Sequence, residues 1–306
     1  MTGAVIVVGS ANQDYVINCD ALPRPGETRL GGRLRRFPGG KGVNQAVAAA
    51  RLGADVHFVG AVGDDPDGAL LIGELRSEGV DAGDVEITTA ERTGVAFVSV
   101  LPDGENAITV VSGANFTLAA GRVSRTVRRL ADASSVVVLQ GEIPVPALQA
   151  AVEASTEAGA RTVLNLAPFV ELPAAVLRPA APLIVNEVEA SALLGAPVTA
   201  QESAEQAART LAGRAGSAVI TLGGAGAVWA DRTGSGTVRA PEVRQVVDTT
   251  GAGDAFVGGL ATMLAEGRDL ETAVRFAVEV GTVAVTRVGA QASYPSRADV
   301  AGAPGA

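Results

Sequence analysis

The stretch VDTTGAGDAFVGG, Val247 to Gly259, places glycines and one carboxylate between a polar turn and an apolar run. From Ala252 onward, Phe256, Leu260, Met263 and Leu264 fall at i, i+4, i+7 and i+8, the spacing of one buried helical stripe. Gly251, Ala252 and Gly253 therefore stand at a helix N-terminus. Unpaired N–H groups point out of such an end, and the helix dipole adds partial positive charge, so an anion is stabilised there. Asp254 sits in the first turn. On this stretch alone two readings stand. The acid is either a first-turn carboxylate favoured by the dipole, worth about 0.3–1 kcal/mol, or a group acting on a phosphoryl site.

Short Val/Ile-rich runs recur at 4–9, 56–63, 135–140, 162–167, 183–186 and 217–223. They are apolar on both faces, as strands covered by helices on each side must be. Between them lie Ala-rich segments of helical length closed by glycine, such as KGVNQAVAAARLG and AQESAEQAARTLAGRAG. This alternation predicts an α/β fold: a Rossmann-like layered domain with a mostly parallel central sheet flanked by helices, whose ligands bind beyond the carboxyl ends of the strands. Residues 15–37 and 93–112 instead alternate apolar with polar and carry the turn formers PRPGE and PDGEN, which predicts antiparallel hairpins forming a small β lid. The main domain is expected over 1–14, 38–92 and 113–298, with a frayed tail at 299–306.

Composition limits the functions on offer. The 306 residues carry a net charge of -9, and basic residues run no longer than the pairs Arg35-Arg36 and Arg128-Arg129, so a nucleic-acid partner is not expected. The opening MTGAVIVVGS has no basic leader, and no run of about 18 apolar residues occurs, so no membrane partner and an intracellular, cytoplasmic location are expected. Cys19 is alone and cannot form an internal disulfide. His57, also alone, lacks ligand-spaced neighbours and reads as a structural or lid position. Neither receives a role.

Two familiar phosphate motifs fail. AVIVVGSANQD follows a strand with Gly9 but has no G-x-G-x-x-G, and FPGGKGVN has Gly42 where a Walker loop needs Ser or Thr after the Lys. Phosphate must be held another way.

GGKGVNQAVAAARLGA (39–54) together with VDTTGAGDAFVGG (247–259) resembles the two signature segments of the ribokinase family of carbohydrate kinases, also called the phosphofructokinase-B family. The likeness runs from GSANQD near the start to VTRVGAQASYP near residue 295. It implies a sugar site formed by Asn12, Asp14, Gly40, Lys41, Asn44 and Glu142, residue types that satisfy many hydroxyls at once. On the nucleotide side it implies Asn186, Thr221, Gly223, Gly224 and Gly226, with Glu189 placing Mg2+ through water. Asp248, Thr250, Ala284, Arg287, Gly289 and Ser293 correspond to a loop that holds a monovalent cation, usually K+. Leu166, where ribokinases often carry Pro, departs from the pattern.

The implied reaction is ATP-dependent phosphorylation of a primary sugar hydroxyl, O5 of D-ribose, with Asp254 as general base and Gly251, Ala252 and Gly253 as amide donors to the transferring phosphoryl group. The lid is expected to close over the sugar and to form a homodimer contact. Within the class, a fructose, deoxyribose or nucleoside kinase shares the same ATP side, although 3% aromatic content offers little to stack a base. Outside it stands a sugar-sensing protein without catalysis, which would have no need of Asp254.

Overall fold

The computed structural model describes residues 2–102, 106–199 and 201–301. The chain opens with strands β1 (Val5–Val8), β2 (Asn12–Asn18) and β3 (Leu34–Gly39), then helix α1 (Lys41–Arg51). Next come β4 (Val56–Val59), β5 (Ala61–Gly63), α2 (Pro66–Ser77), β6 (Glu86–Thr88), β7 (Gly94–Val100) and β8 (Asn106–Val111). Helix α3 (Ala120–Leu130), β9 (Val136–Gln140), α4 (Val145–Glu157), β10 (Arg161–Asn165), α5 (Ala174–Leu177), β11 (Ala180–Asn186) and α6 (Glu187–Leu194) follow. The last third holds α7 (Gln201–Ala212), β12 (Ala218–Thr221), β13 (Ala227–Ala230), β14 (Ser235–Val238), α8 (Ala252–Ala265), α9 (Leu270–Ala284) and α10 (Arg297–Ala301).

Eight strands form the central sheet in the order β14-β13-β12-β11-β10-β9-β1-β4. From β12 to β4 every pairing is parallel. The continuous apolar runs have a direct cause: Val5 and Val7 enter the core layer beneath α1, α2, α8 and α9, while Ile6 and Val8 enter the opposite layer with α3 to α7. A strand buried on both sides has no polar face to show. Each fully buried Val, Leu or Ile contributes roughly 1.5–3 kcal/mol, so these two layers fix where the strand ends lie.

A second sheet, order β3-β2-β7-β8, forms the lid. Its hairpins β2–β3 and β7–β8 are antiparallel as expected, but they join through a parallel pairing of β2 with β7. Strand β2 begins at Asn12 rather than at 15, so Asn12 and Asp14 belong to the lid sheet itself. Tyr15 stacks on Phe97 with ring centroids 5.7 Å apart and donates to Asp67 Oδ2 at 2.7 Å, tying the lid to the first turn of α2. Most of the PDGEN turn, residues 103–105, lies outside the described residues. Residues 299–301 of the expected tail lie in α10, where Val300 is 2% exposed; residues 302–306 lie outside the described residues.

Candidate active site

Four adjacent parallel strands end on one side of the sheet in polar residues: Gln140, Asn165, Asn186 and Thr221. Opposite them stands the N-terminus of α8. Gly251 caps that helix at φ 77, a left-handed turn that a side chain would strain. Gly258, one helical turn beyond Asp254, lets α8 lie directly on α1, because a Cβ there would sit 2.6 Å from the Ala48 Cβ. The close approach brings α1 side chains to the acid. Between strand ends and helix lies a cleft of about 170 Å³ lined by Lys41, Asn165, Asn186, Glu189, Thr221, Gly251, Gly253 and Asp254, among others.

Asp254 is 7% exposed and is held by two amides from consecutive residues of α1. Asn44 Nδ2 donates to its Oδ2 at 3.0 Å, and Gln45 Nε2 donates to its Oδ1 at 2.9 Å. A buried carboxylate without donors would be costly, so these bonds are what allow the acid to sit here. Of the three amides expected to meet a phosphoryl group, Gly251 and Gly253 line the cleft, whereas the Ala252 N–H turns back to Thr249 O at 3.2 Å.

The residues expected to hold a sugar gather beside this cleft. Gly40 caps α1, and Lys41 opens it. Attraction from Asp254 raises the Lys41 ammonium pKa against the effect of burial, with Glu142 and Glu189 adding to the rise. Glu142 Oε2 accepts from Ser10 Oγ and from the Lys41 backbone N–H at 3.1 Å. Asn12 is buried, and its Oδ1 accepts from Asn115 Nδ2 at 2.7 Å, which turns its own amide nitrogen away from Asn115. Burial pushes the Asp14 carboxyl up to about 7, helped by the nearby charges of Glu142 and Asp254. Its Oδ1 is buried with no hydrogen-bond partner in the protein.

On the nucleotide side, Asn186 and Glu189 form a reciprocal capping box at the start of α6: Glu189 N donates to Asn186 Oδ1 at 2.9 Å, and Asn186 N donates to Glu189 Oε2 at 2.8 Å. Both residues also line the cleft, and burial raises the Glu189 carboxyl pKa. Thr221 lines the cleft as well, and Gly223 and Gly224 lie in the 3-10 turn that Gly226 closes.

Asp248 joins the two loops expected to surround a cation. Its Oδ1 accepts from Thr250 N at 2.9 Å and its Oδ2 from Gly289 N at 2.8 Å. Burial pushes this carboxyl up, but the hydrogen bonds from Thr250 and Gly289 hold it below the ordinary range on balance. Ser293 Oγ donates to Ala290 O at 2.7 Å, and Ala284 O accepts from Arg287 N at 3.1 Å. The Arg287 guanidinium leaves the loop for Asp299, 3.3 Å away.

Sequence reasoning overlooked Gln45, Gln140, Asn165 and Gln291, which with Asn44 form a connected amide network around Asp254. A usable signal was present. An amide inside VVVLQ, TVLN or KGVNQAVAAA is surrounded by apolar neighbours, and a buried amide must find partners. His57 pairs with Asp81 at 3.2 Å on the sheet edge, away from the cleft.

An acid able to take a proton, beside amides and a cation able to meet negative charge, suits transfer of a phosphoryl group to a hydroxyl. Residues 3–297 match the family model described as pfkB family carbohydrate kinase, and the chain belongs to that family. It is 36% identical over 297 residues to the ribokinase of Haemophilus influenzae, covering 97% of each chain. It is 34% identical over 295 residues to the deoxyribokinase of Salmonella typhi, covering 95% of each. Among solved structures it superposes on Arabidopsis thaliana ribokinase, complexed with ribose and ATP, at a TM-score of 0.90 and 32% identity over 98% of each chain. The chain is an ATP-dependent sugar kinase. Among the described residues no helix is long and apolar enough to cross a membrane.

Proposed function

We propose that the chain phosphorylates D-ribose at O5, giving ribose 5-phosphate and ADP. The observation that carries the reading is Asp254, buried at the α8 N-terminus, fixed by two amides and facing the cleft. Asp254 accepts the proton of the primary hydroxyl as that oxygen bonds to the γ-phosphorus. The bond from phosphorus to the β–γ bridging oxygen breaks, and ADP leaves with its electron pair. The N–H groups of Gly251 and Gly253 and the ammonium of Lys41 meet the charge on the moving phosphoryl oxygens. Asn12, Asp14, Gly40, Asn44 and Glu142 orient the sugar, and the lid sheet keeps water out.

Magnesium would supply charge neutralisation on the phosphates. Glu189 and Asn186, oxygen donors in the cleft wall, fit that role. The joined loops of Asp248, Thr250, Ala284, Arg287, Gly289 and Ser293 offer an anionic carboxylate together with carbonyl and hydroxyl oxygens, which suits potassium. Removing the ion should loosen the amides next to Asp248. Ribose phosphorylation in excess magnesium should therefore rise severalfold when potassium replaces a bulky organic cation at equal ionic strength, the last condition excluding general screening. Equal rates would mean that these loops are an ordinary structural turn.

The likeness to a deoxyribokinase supports one second reading, in which 2-deoxyribose is the preferred acceptor. ADP release across ribose, 2-deoxyribose, fructose and a nucleoside separates the two: ribose should give the highest kcat/KM. A higher value for any other acceptor overturns the assignment while leaving the kinase class intact.

We also infer a homodimer through the lid. Phe37, Val110 and Ile108 are 40%, 48% and 57% exposed, and the strand registers place them on the same face as Asp14. Such a face is suited to covering by a second copy. ATP as phosphoryl donor and a chain with only one cysteine are consistent with a cytoplasmic location.

A further inference from the structure

Asp254 can only accept hydrogen bonds when ionised, and that constraint orders every amide around it. Asn44 must present its nitrogen to Asp254, so its oxygen faces the other way, where Gln291 Nε2 donates to it at 2.9 Å. Gln45 must likewise present Nε2, and its oxygen accepts from Gln140 Nε2 at 2.8 Å. The same Gln45 nitrogen reaches Asn165 Oδ1 at 3.0 Å, and Asn165 Nδ2 ends the branch on Ile184 O at 3.4 Å. Gln45, Gln140 and Gln291 are buried, and all three lie outside the lining of the cleft. Their routes to substrate run through Asp254, Asn44 or, for Gln45, also Asn165 in the cleft wall.

From this arrangement we infer that Gln45 is a positioning residue of the reaction. With Gln140 behind it, its amide sets the plane of the Asp254 carboxylate, so that the remaining lone pairs face the acceptor hydroxyl. Gln291 serves the other oxygen in the same way through Asn44. The inference rests on Asp254 being the base. Gln45 and Asn44 hold one oxygen each, and a carboxylate gripped at a single oxygen is free to rotate about its Cβ–Cγ bond. Placement errors of that kind reduce the rate without preventing binding.

The discriminating experiment is a double-mutant cycle between Gln45→Met and Asp254→Asn, with steady-state kinetics on ribose and Mg-ATP and a thermal melt for each variant. Methionine keeps the length of glutamine and removes the donor. Gln45→Met should lower kcat about 10- to 30-fold, as expected for one hydrogen bond lost to a charged group, with both KM values within about threefold of wild type. In the Asp254→Asn background the same change should have no further effect on the residual rate, because the base that Gln45 positions is already gone. Wild-type kcat in Gln45→Met, or an equal fractional loss in both backgrounds, would overturn the proposal and leave Gln45 a packing residue. If Asp254→Asn by itself retains wild-type turnover, the assignment of the base fails instead, and the two failures are thereby distinguished. Should Gln45→Met not fold, Gln140→Met tests the same branch one step removed. It should lower kcat about threefold, again only when Asp254 is intact; no loss, or a loss in both backgrounds, would overturn the proposal.

Discussion

Asp254→Asn should lower turnover by roughly 100-fold or more, the usual scale for loss of a positioned general base, while ribose affinity changes little. Asparagine keeps the shape of aspartate but has one acceptor oxygen in place of two. The amide nitrogens of Asn44 and Gln45 now both address Asp254. After the change one of them would face another NH2 group, so the network loses a bond as well as the basic oxygen. Isothermal titration with ribose and initial rates of ADP release measure the two quantities separately. Retention of more than a tenth of wild-type turnover would show that another group takes the proton. Loss of ribose affinity in parallel with rate would instead assign Asp254 a mainly structural part in the sugar site.

The fold was readable where a single physical cause acted along the chain. Strands covered on both faces must be apolar throughout, and runs such as VIVV and VVVLQ display that without reference to distant residues. The parallel pairing of β2 with β7 was not readable, since it joins segments about eighty residues apart and depends on how the two hairpins dock. The edge hairpin of β13 and β14 also went unread, although AVWADRTGSGTV carries turn formers between two short strands.

Within the site, the motif reading located Asp254 and Asn44 but passed over Gln45. Adjacent helical residues point about 100° apart, so only one of two neighbours is ordinarily expected to reach a given target. Here the target has two oxygens, and α1 lies close enough at Gly258 for both neighbours to reach it. Ala252 illustrates the opposite limit. Its place at a helix N-terminus suggests a free N–H, and only the path of the preceding turn reveals that Thr249 O accepts it. Asn186 and Glu189 show a third case, in which one pair of residues satisfies a helix cap and also lines the cleft.

Asp14→Asn should weaken ribose binding about 10- to 100-fold, the range for hydrogen bonds lost from a charged acceptor, with nucleotide affinity unchanged. The pH behaviour makes the test specific. In the sugar-free protein the Asp14 carboxyl is pushed from 3.8 up to about 7 by burial, with Glu142 and Asp254 adding like charge. A raised carboxyl means that the folded state holds a proton the unfolded chain releases. Its contribution to stability is fully present below about 3.8 and is lost as pH rises through about 7. Wild-type protein without sugar should therefore lose melting temperature between pH 5 and 8 more steeply than Asp14→Asn. Sugar hydroxyls that donate to the carboxylate favour its charged form, so binding at pH 7 should expel up to roughly half a proton per site. Calorimetry in buffers of different ionisation enthalpy reads that number directly, and in Asp14→Asn the release should vanish. Equal proton release by the two proteins would remove Asp14 from the sugar site, whatever the substitution does to affinity.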